Sequence, residues 1–564
     1  MNKLHKALVV LALVATGLGR AQSVAAPEAP AKAPAIDTYI SNAWSTLSRS
    51  MTDCHSVVDP KVKTAALLYL PKELPMPADV LALQSKCNVK VERLPVQVQH
   101  FGEIKLTDIH APGLLYLPNR YVVPGGRFNE MYGWDSYFII LGLVRDGRVD
   151  LARGMVENFF FEIQHYGGIL NANRTYYFTR SQPPFLSSMI LAVYDAEVAQ
   201  AKTPAQHVQL RDWLEHAYDF AQRDYSLLTS NIHRAGDTGL ARYFDVGDGP
   251  VPEMADDSPY YPDVIRWLIA HPQADPGYLV TLPEAPTSAD MPKVAELSCN
   301  ASASVVCAHA HVNGHWLTRD FYKGDRAMRE SGFDPSFRYG PFSGSTHHYA
   351  GVDLNSLLYK YETDMARIAK LLDRSSEATE WKDRADRRRA AINRYLWNPQ
   401  RGVYMDYDYM SHRSSTYRYA TMFYPLWAGV ADSVQAKAVE SHLNLLEHAG
   451  GLAMSTEDTG LQWDMPFGWA PVNWIAIDGL HEAGDDVDAK RLAREFSKSI
   501  EQGYEADGTI VEKYDVVNAS SHVQVKTGYK ENQIGFGWTN AVYLEMQHLL
   551  STTNSSTRAA AAGN

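Results

Sequence analysis

Between residues 354 and 372, apolar side chains recur at steps of three and four: Leu354, Leu357, Leu358, Tyr361, Met365, Ile368, Leu371 and Leu372. That spacing lines one face of a helix with 3.6 residues per turn, so the stretch predicts an amphipathic helix of about five turns. Similar segments fall at 137–147, 149–165, 186–201, 205–228, 376–397, 433–448, 470–482, 487–504 and 538–550. Many are neighbours separated by a few residues that include Gly, Asp or Pro, the punctuation of helix hairpins. Alternating strand patterns are scarce, and residues 36–120, with short apolar runs and several prolines, read as a lead-in packed on the main body. A long array of antiparallel helix pairs either extends as a solenoid or closes into a double ring, and no fixed-period repeat marks a solenoid. The expected fold is therefore all-α, a closed toroid, with irregular aromatic-rich connections gathered at one rim of its cavity.

Composition changes this picture little. A formal charge of −12 and a pI near 5.9 leave no basic footprint for nucleic acid, and 12 Trp with 32 Tyr fit a sugar-binding cleft. At the N-terminus, Lys3, His5 and Lys6 precede an apolar run at 7–18 that is too short to span a bilayer. With small residues at 21–26 it reads as a secretory signal over 1–26, followed by an Ala/Pro-rich leader at 27–35. This predicts a periplasmic or secreted protein with no membrane anchor once the signal is removed. Cys54, Cys87, Cys299 and Cys307 match no zinc spacing, so disulfides are expected; of three connectivities, the local pairs Cys54–Cys87 and Cys299–Cys307 are preferred.

The chemistry gathers in the connections. Residues 124–138 read P-G-G-R-F-N-E-M-Y-G-W-D-S-Y-F, placing Arg127, Glu130 and Asp135 among four aromatics behind an irregular turn. Aromatic faces cover the C–H surface of a pyranose, and charged groups of fixed geometry pair with its hydroxyls. A buried turn with a structural Arg–carboxylate pair is the alternative. Residues 171–184 bring two arginines and several amides into another aromatic segment, against the plainer reading of a capped turn. In L-Q-W-D-M-P-F-G-W-A-P (461–471), Trp463 and Trp469 alone read as packing residues. Asp334, between Phe333 and Pro335, is a carboxyl held against apolar surface, where burial disfavours its charge and suits a general acid. Glu512 beside Lys513 reads by default as a solvated pair.

Taken together, these stretches resemble the trehalase family of inverting glycoside hydrolases, in its secreted or periplasmic bacterial form. The residues that carry the resemblance are P-G-G-R-F-N-E-M-Y-G-W-D (124–135) and Q-W-D-M-P-F-G-W-A-P (462–471). They are joined by 171–184, E-S-G-F-D (330–334), V-E-K-Y-D (511–515) and G-F-G-W-T-N (535–540). The resemblance implies an (α/α)6 toroid that hydrolyses α,α-trehalose to two glucose molecules with no metal or organic cofactor. By motif match Asp334 is the general acid and Glu512 the general base. Arg127, Trp134, Asp135, Asn171, Arg180, Ser181, Gln182, Glu253 and Gly332 fall where the family contacts sugar. Lys513 would help to keep the base charged. The implied organisation is a single catalytic domain over 36–550, interrupted by an insertion near 256–325, with a disordered tail at 551–564. A monomer with a small-molecule substrate is expected.

Three departures stand out. Val251 replaces an expected arginine in P-V-P-E, and about eighty residues separate Glu253 from Asp334. The family's glycine-rich lid is replaced by V-K-T-G-Y-K-E-N-Q-I (525–534), where Gly528 is the one evident hinge and Glu531 a poor substitute for the usual glutamate. These changes leave open another inverting α-glucosidase, or a catalytically silent sugar-binding protein; the presence of both carboxyls argues against the latter. No phosphate-binding motif is present.

Overall fold

Helices occupy the periodic segments in the computed structural model, which describes residues 34–58, 65–254, 259–283, 287–290, 292–293, 305–527 and 529–552. Two classes of helix are distinguished by burial. Gly133–Arg145 buries every residue from Gly133 to Ile140, whereas Ser375–Tyr395 buries only Ala378, Trp381, Ala385, Arg388 and Ile392, a single stripe at steps of three and four. The first kind lines the inside of a ring and the second its outside.

The inner helices Gly133–Arg145, Leu186–Gln200, Val352–Leu371, Tyr424–Trp427, Ala470–Glu482 and Gly537–Ser551 each touch the next, and the last returns to the first. Closure depends on small residues. A Cβ at Gly142 would lie 2.6 Å from the Ala541 methyl, so the two helices approach more closely than larger side chains allow. After a short turn each of the first five inner helices is followed by an outer partner: Val149–His165, Pro204–Leu228, Ser375–Tyr395, Ser433–Glu440 and Asp486–Asp507. Ile36–Thr46 packs on Gly537–Ser551 as the sixth. The fold is thus the (α/α)6 toroid.

The two kinds of connection differ sharply. Inner-to-outer turns are tight, and two of them are capped at Thr203 and Asp432, whose side chains accept backbone N–H bonds in reciprocal boxes with Gln206 and Gln435. Outer-to-inner connections (166–185, 229–351, 396–423, 441–469 and 508–536) are long, and all arrive at the N-terminal ends of inner helices. The residues with candidate chemistry therefore share one rim.

Small sheets decorate this frame. The lead-in forms a parallel sheet of Val89–Arg93, Ala66–Leu70 and Leu114–Leu115 that joins the main core, and Phe467–Trp469 pairs antiparallel with Lys513–Asp515. Within 229–351, the helices Tyr260–Ala270 and Arg319–Ser331 share a second apolar core with Val251 and Phe342. The helix expected over 433–448 ends at Glu440, because the following residues form a 3-10 turn and Glu447–His448 pairs with Gly451–Leu452.

Cys54 and Cys87 form the expected disulfide. The pairing expected between Cys299 and Cys307 lies outside the described residues because Cys299 does, as do the signal expected at 1–26, most of the leader and tail, and Gly528. Among the described residues no helix is long and apolar enough to cross a membrane.

Candidate active site

Trp134 and Asp135 sit in the first turn of Gly133–Arg145, where backbone N–H groups lack helical partners. The 171–184 connection supplies those partners: Asn171 O accepts from Gly133 N at 3.3 Å, and Gln182 Oε1 accepts from Trp134 N at 2.7 Å. Asn171 donates through Nδ2 to the carbonyls of Ser181 and Arg329, and Ser181 Oγ donates to the buried carboxylate of Glu330 at 2.5 Å. These contacts fasten two connections to one helix end.

Gly332 terminates Arg319–Ser331 in the left-handed region, at φ +79°. A Cβ there would stand 2.9 Å from the indole of Trp134, so the chain passes over this ring only as glycine. Phe333 then packs edge-on against Trp134, with ring centroids 5.7 Å apart, and Asp334 follows. Gln462 Nε2 donates to the backbone carbonyl of Asp334 at 2.6 Å, and Arg329 Nη1 reaches its Oδ2 at 3.4 Å. The Asp334 side chain keeps 22% of its surface open. Burial pushes its carboxyl up to about 7, against the opposing pull of the Arg329 and Arg180 guanidiniums.

Glu512 lies one residue before the strand Lys513–Asp515, 16% exposed. Its N–H donates to Gln533 O and its carbonyl accepts from Trp538 Nε1. Lys513, fully buried, donates from Nζ to Glu512 Oε2 and to the Glu531 carbonyl, each at 3.0 Å, and lies over the Trp469 ring. The neighbouring side chains therefore turn toward each other, and the pair is not a solvated surface one.

Asp135 links the two carboxyls. It is buried, and its pKa is driven well above the usual carboxylate range by burial, with Glu512 and Asp334 both adding to the effect. The rings repeat the connection: Trp134 touches Phe333, Trp463 and Trp538, while Trp463 stacks on Trp469 at 3.9 Å. As read from the sequence, Trp463 and Trp469 are packing residues.

Arg180 is buried over the Tyr177 ring, bonds Glu253 and lies 3.8 Å from Asp245. Its Nη1 and the Oε2 of Glu253 are buried with no hydrogen-bond partner among the described residues. Such groups are costly unless a ligand completes them. Arg127 stands apart: it is 40% exposed at the rim and pairs at 3.0 Å with Glu531 of the altered 525–534 segment. Val251 is fully buried in the second core and reaches no polar contact through its side chain.

The sequence reading missed Arg329 and Tyr529. Arg329 is buried and is gripped by Asp325 four residues earlier; its Nη1 donates both to Asp334 and to Tyr529 Oη, at 3.1 Å. A highly charged segment reads as a surface helix, so nothing in 319–331 announced a buried guanidinium; the i,i+4 spacing of Asp325 and Arg329 was the available signal. Among the described residues, the carboxylates of this site do not converge within metal-ligand distance.

A family model described as Trehalase matches residues 44–261 and 315–551. A probable trehalase of Eremothecium gossypii is 34% identical over 560 residues, covering 89% of this chain and 70% of the relative. The cytosolic neutral trehalase of Saccharomyces cerevisiae is 34% identical over 559 residues, covering 89% and 69%. The solved structure of neutral trehalase from that yeast superposes with a TM-score of 0.71 at 31% identity, covering 92% of this chain and 94% of the other. These fungal relatives correct one expectation. The yeast relative is named as cytosolic, which overturns the expected periplasmic or secreted location; that expectation rested on an N-terminal stretch outside the described residues.

Proposed function

The chain belongs to the trehalase family, and we propose that it hydrolyses α,α-trehalose to two glucose molecules with Asp334 as general acid and Glu512 as general base. Trehalose joins two anomeric carbons through one oxygen. Asp334 gives its proton to that oxygen as the bond breaks, while Glu512 takes a proton from a water that attacks one anomeric carbon from the opposite face. The attacked glucose leaves inverted, as β, and the other as α. Inversion calls for carboxyls about 6.5–9.5 Å apart, with room for the water.

The observation that carries this reading is the convergence at Asp135, whose carboxyl feels both Asp334 and Glu512. Asp334, largely covered and with its carboxyl pushed up to about 7, keeps its proton up to the near-neutral range, as an acid must. Arg180 and Glu253 offer unpartnered polar atoms to the sugar's hydroxyls, and Asn171, Ser181, Gln182 and Gly332 shape the wall around Trp134 and Asp135. Because a site built to pair every hydroxyl leaves its own groups unpaired with an analogue, specificity is narrow. Arg127, paired with Glu531 at the rim, meets the substrate from the open side of the site. The chain works without a cofactor, as a monomer, through one catalytic domain over 36–550 with an insertion near 256–325.

The test incubates purified enzyme with trehalose, maltose and trehalose-6-phosphate and follows product anomers by NMR. Equal initial release of α- and β-glucose from trehalose is expected. Two α-glucose products would refute inversion, and maltose as the better substrate would favour an α-glucosidase. Light scattering at working concentration checks the monomer.

A further inference from the structure

Outside the active site, one cluster has the composition and spacing of a metal centre. Asp320 lies in the first turn of Arg319–Ser331, and His347 and His348 form the end of the 3-10 turn Thr346–His348. Both imidazoles present Nε2 to a single carboxylate oxygen, Asp320 Oδ1, at 3.0 Å from His347 and 3.3 Å from His348. The three ligand atoms lie within 4.8 Å of one another. Tetrahedral zinc with bonds of about 2.0–2.1 Å holds its ligand atoms about 3.3 Å apart. The two distances from the carboxylate oxygen are thus close to those of a filled site.

We propose that Asp320, His347 and His348 bind a zinc ion, with water as the fourth ligand. Two imidazoles and one carboxylate are a borderline donor set that zinc takes, as ferrous iron also does, and that leaves magnesium and calcium, which prefer oxygen, poorly served. The site is open on one side, with the side chains of Asp320 53% and His348 24% exposed, while His347 is 7% exposed and held by the fold. An ion therefore has access, a water has room, and one ligand is already fixed in place.

The location gives the site a purpose. Asp320 and His347 are 27 residues apart, and Asp334 lies near the middle of the segment between them. An ion at this point closes that loop and pins both of its ends, restricting the segment that carries the acid. The Asp320 end of the helix is about 16 Å along its axis from Ser331, so the ion braces the acid loop without touching substrate.

The experiment strips the full chain with chelator and titrates it with zinc in competition with a chromophoric chelator, beside Asp320→Asn and His348→Ala. One equivalent of zinc is expected to bind the wild type, with affinity lowered at least about tenfold in each variant. At a zinc concentration near the wild-type dissociation constant, Tm rises in the wild type and much less in the variants, and cobalt in place of zinc gives the visible absorption of a tetrahedral site. Far-UV circular dichroism of each variant shows whether it is folded. Zinc binding equally tight in wild type and both folded variants, or no stoichiometric binding by the wild type, would overturn the proposal.

Discussion

Asp334 and Glu512 carry the same functional group in two kinds of surroundings. The surroundings of Asp334 come mostly from distant parts of the chain, the Arg180 and Glu253 charges and Gln462 on its backbone carbonyl, joined by Arg329 five residues earlier. Those of Glu512 are largely local: the next residue, Lys513, supplies the ammonium, and the strand that follows fixes both against Phe467–Trp469. A proton is retained by a tertiary environment, whereas a charge is matched by a covalent neighbour. The difference is broken most severely by removing one function at a time. Asp334→Asn and Glu512→Gln should each lower kcat for trehalose by about 10²–10⁴-fold with the fold intact, measured by glucose release and circular dichroism. Near-normal turnover in either variant would end the proposed division of roles.

The two sites should also part in their pH behaviour. Asp334 has a folded pKa of about 7 against an ordinary value of 3.8, so its neutral form is the one the fold favours. Its contribution to stability is whole below the unfolded value and is lost as pH rises through about 7. Asp334→Asn cannot make that loss. Denaturant melts should therefore find the variant more stable than wild type by on the order of 4 kcal/mol at pH 8, with the gap closing toward pH 4. In the wild type, kcat/KM should fall as pH rises through the same region, because ionised Asp334 has no proton to give. A gap that does not change with pH would mean that Asp334 is not held neutral.

The same contrast explains what was legible in the sequence. The helices were readable because a ring of hairpins writes its period locally, and 149–165 coincides with the observed Val149–His165. Lys513 beside Glu512 was readable as an adjacent pair, but not its burial: the default reading was a solvated pair, and Lys513 is fully buried. Arg329 was not: its segment 319–331 is full of charge, and only the packing of Tyr260, Tyr261 and Phe342 around it turns those charges inward. Val251 shows the converse. Its motif position suggested a lost sugar contact, but the side chain belongs to a second core that exists only when the long connection folds. The wall residues Trp134 and Asp135 stood out by residue type, but the motif resemblance was needed to choose a sugar wall over a buried turn, because their burial depends on rings contributed by residues 333, 463 and 538.

A smaller perturbation tests how the acid loop is positioned. Gly332→Ala forces a side chain into the left-handed region and onto the Trp134 indole. A destabilisation of about 1–3 kcal/mol is expected. Because the displaced loop carries Asp334, kcat should fall more than KM rises. Unchanged Tm and kcat would show that the loop relaxes without disturbing the acid.

The smallest expected effect comes from the 525–534 segment, which touches both regions. On the base side it accepts from Glu512 N through Gln533 O and from Lys513 through Glu531 O; on the acid side Tyr529 Oη accepts from Arg329 Nη1. Tyr529→Phe removes the acid-side contact alone. The hydrogen bond is worth about 0.5–1.5 kcal/mol, which limits the change in KM to about tenfold or less. The direction of the pH effect is more telling than its size. Arg329 Nη1 divides its donors between Tyr529 and Asp334, and losing the hydroxyl turns the guanidinium more fully to the carboxylate. An opposing cation favours the ionised acid, so the alkaline limb of kcat/KM should move to lower pH by a fraction of a unit. A shift to higher pH would mean that Tyr529 acts by excluding water from Asp334, with Arg329 as a bystander.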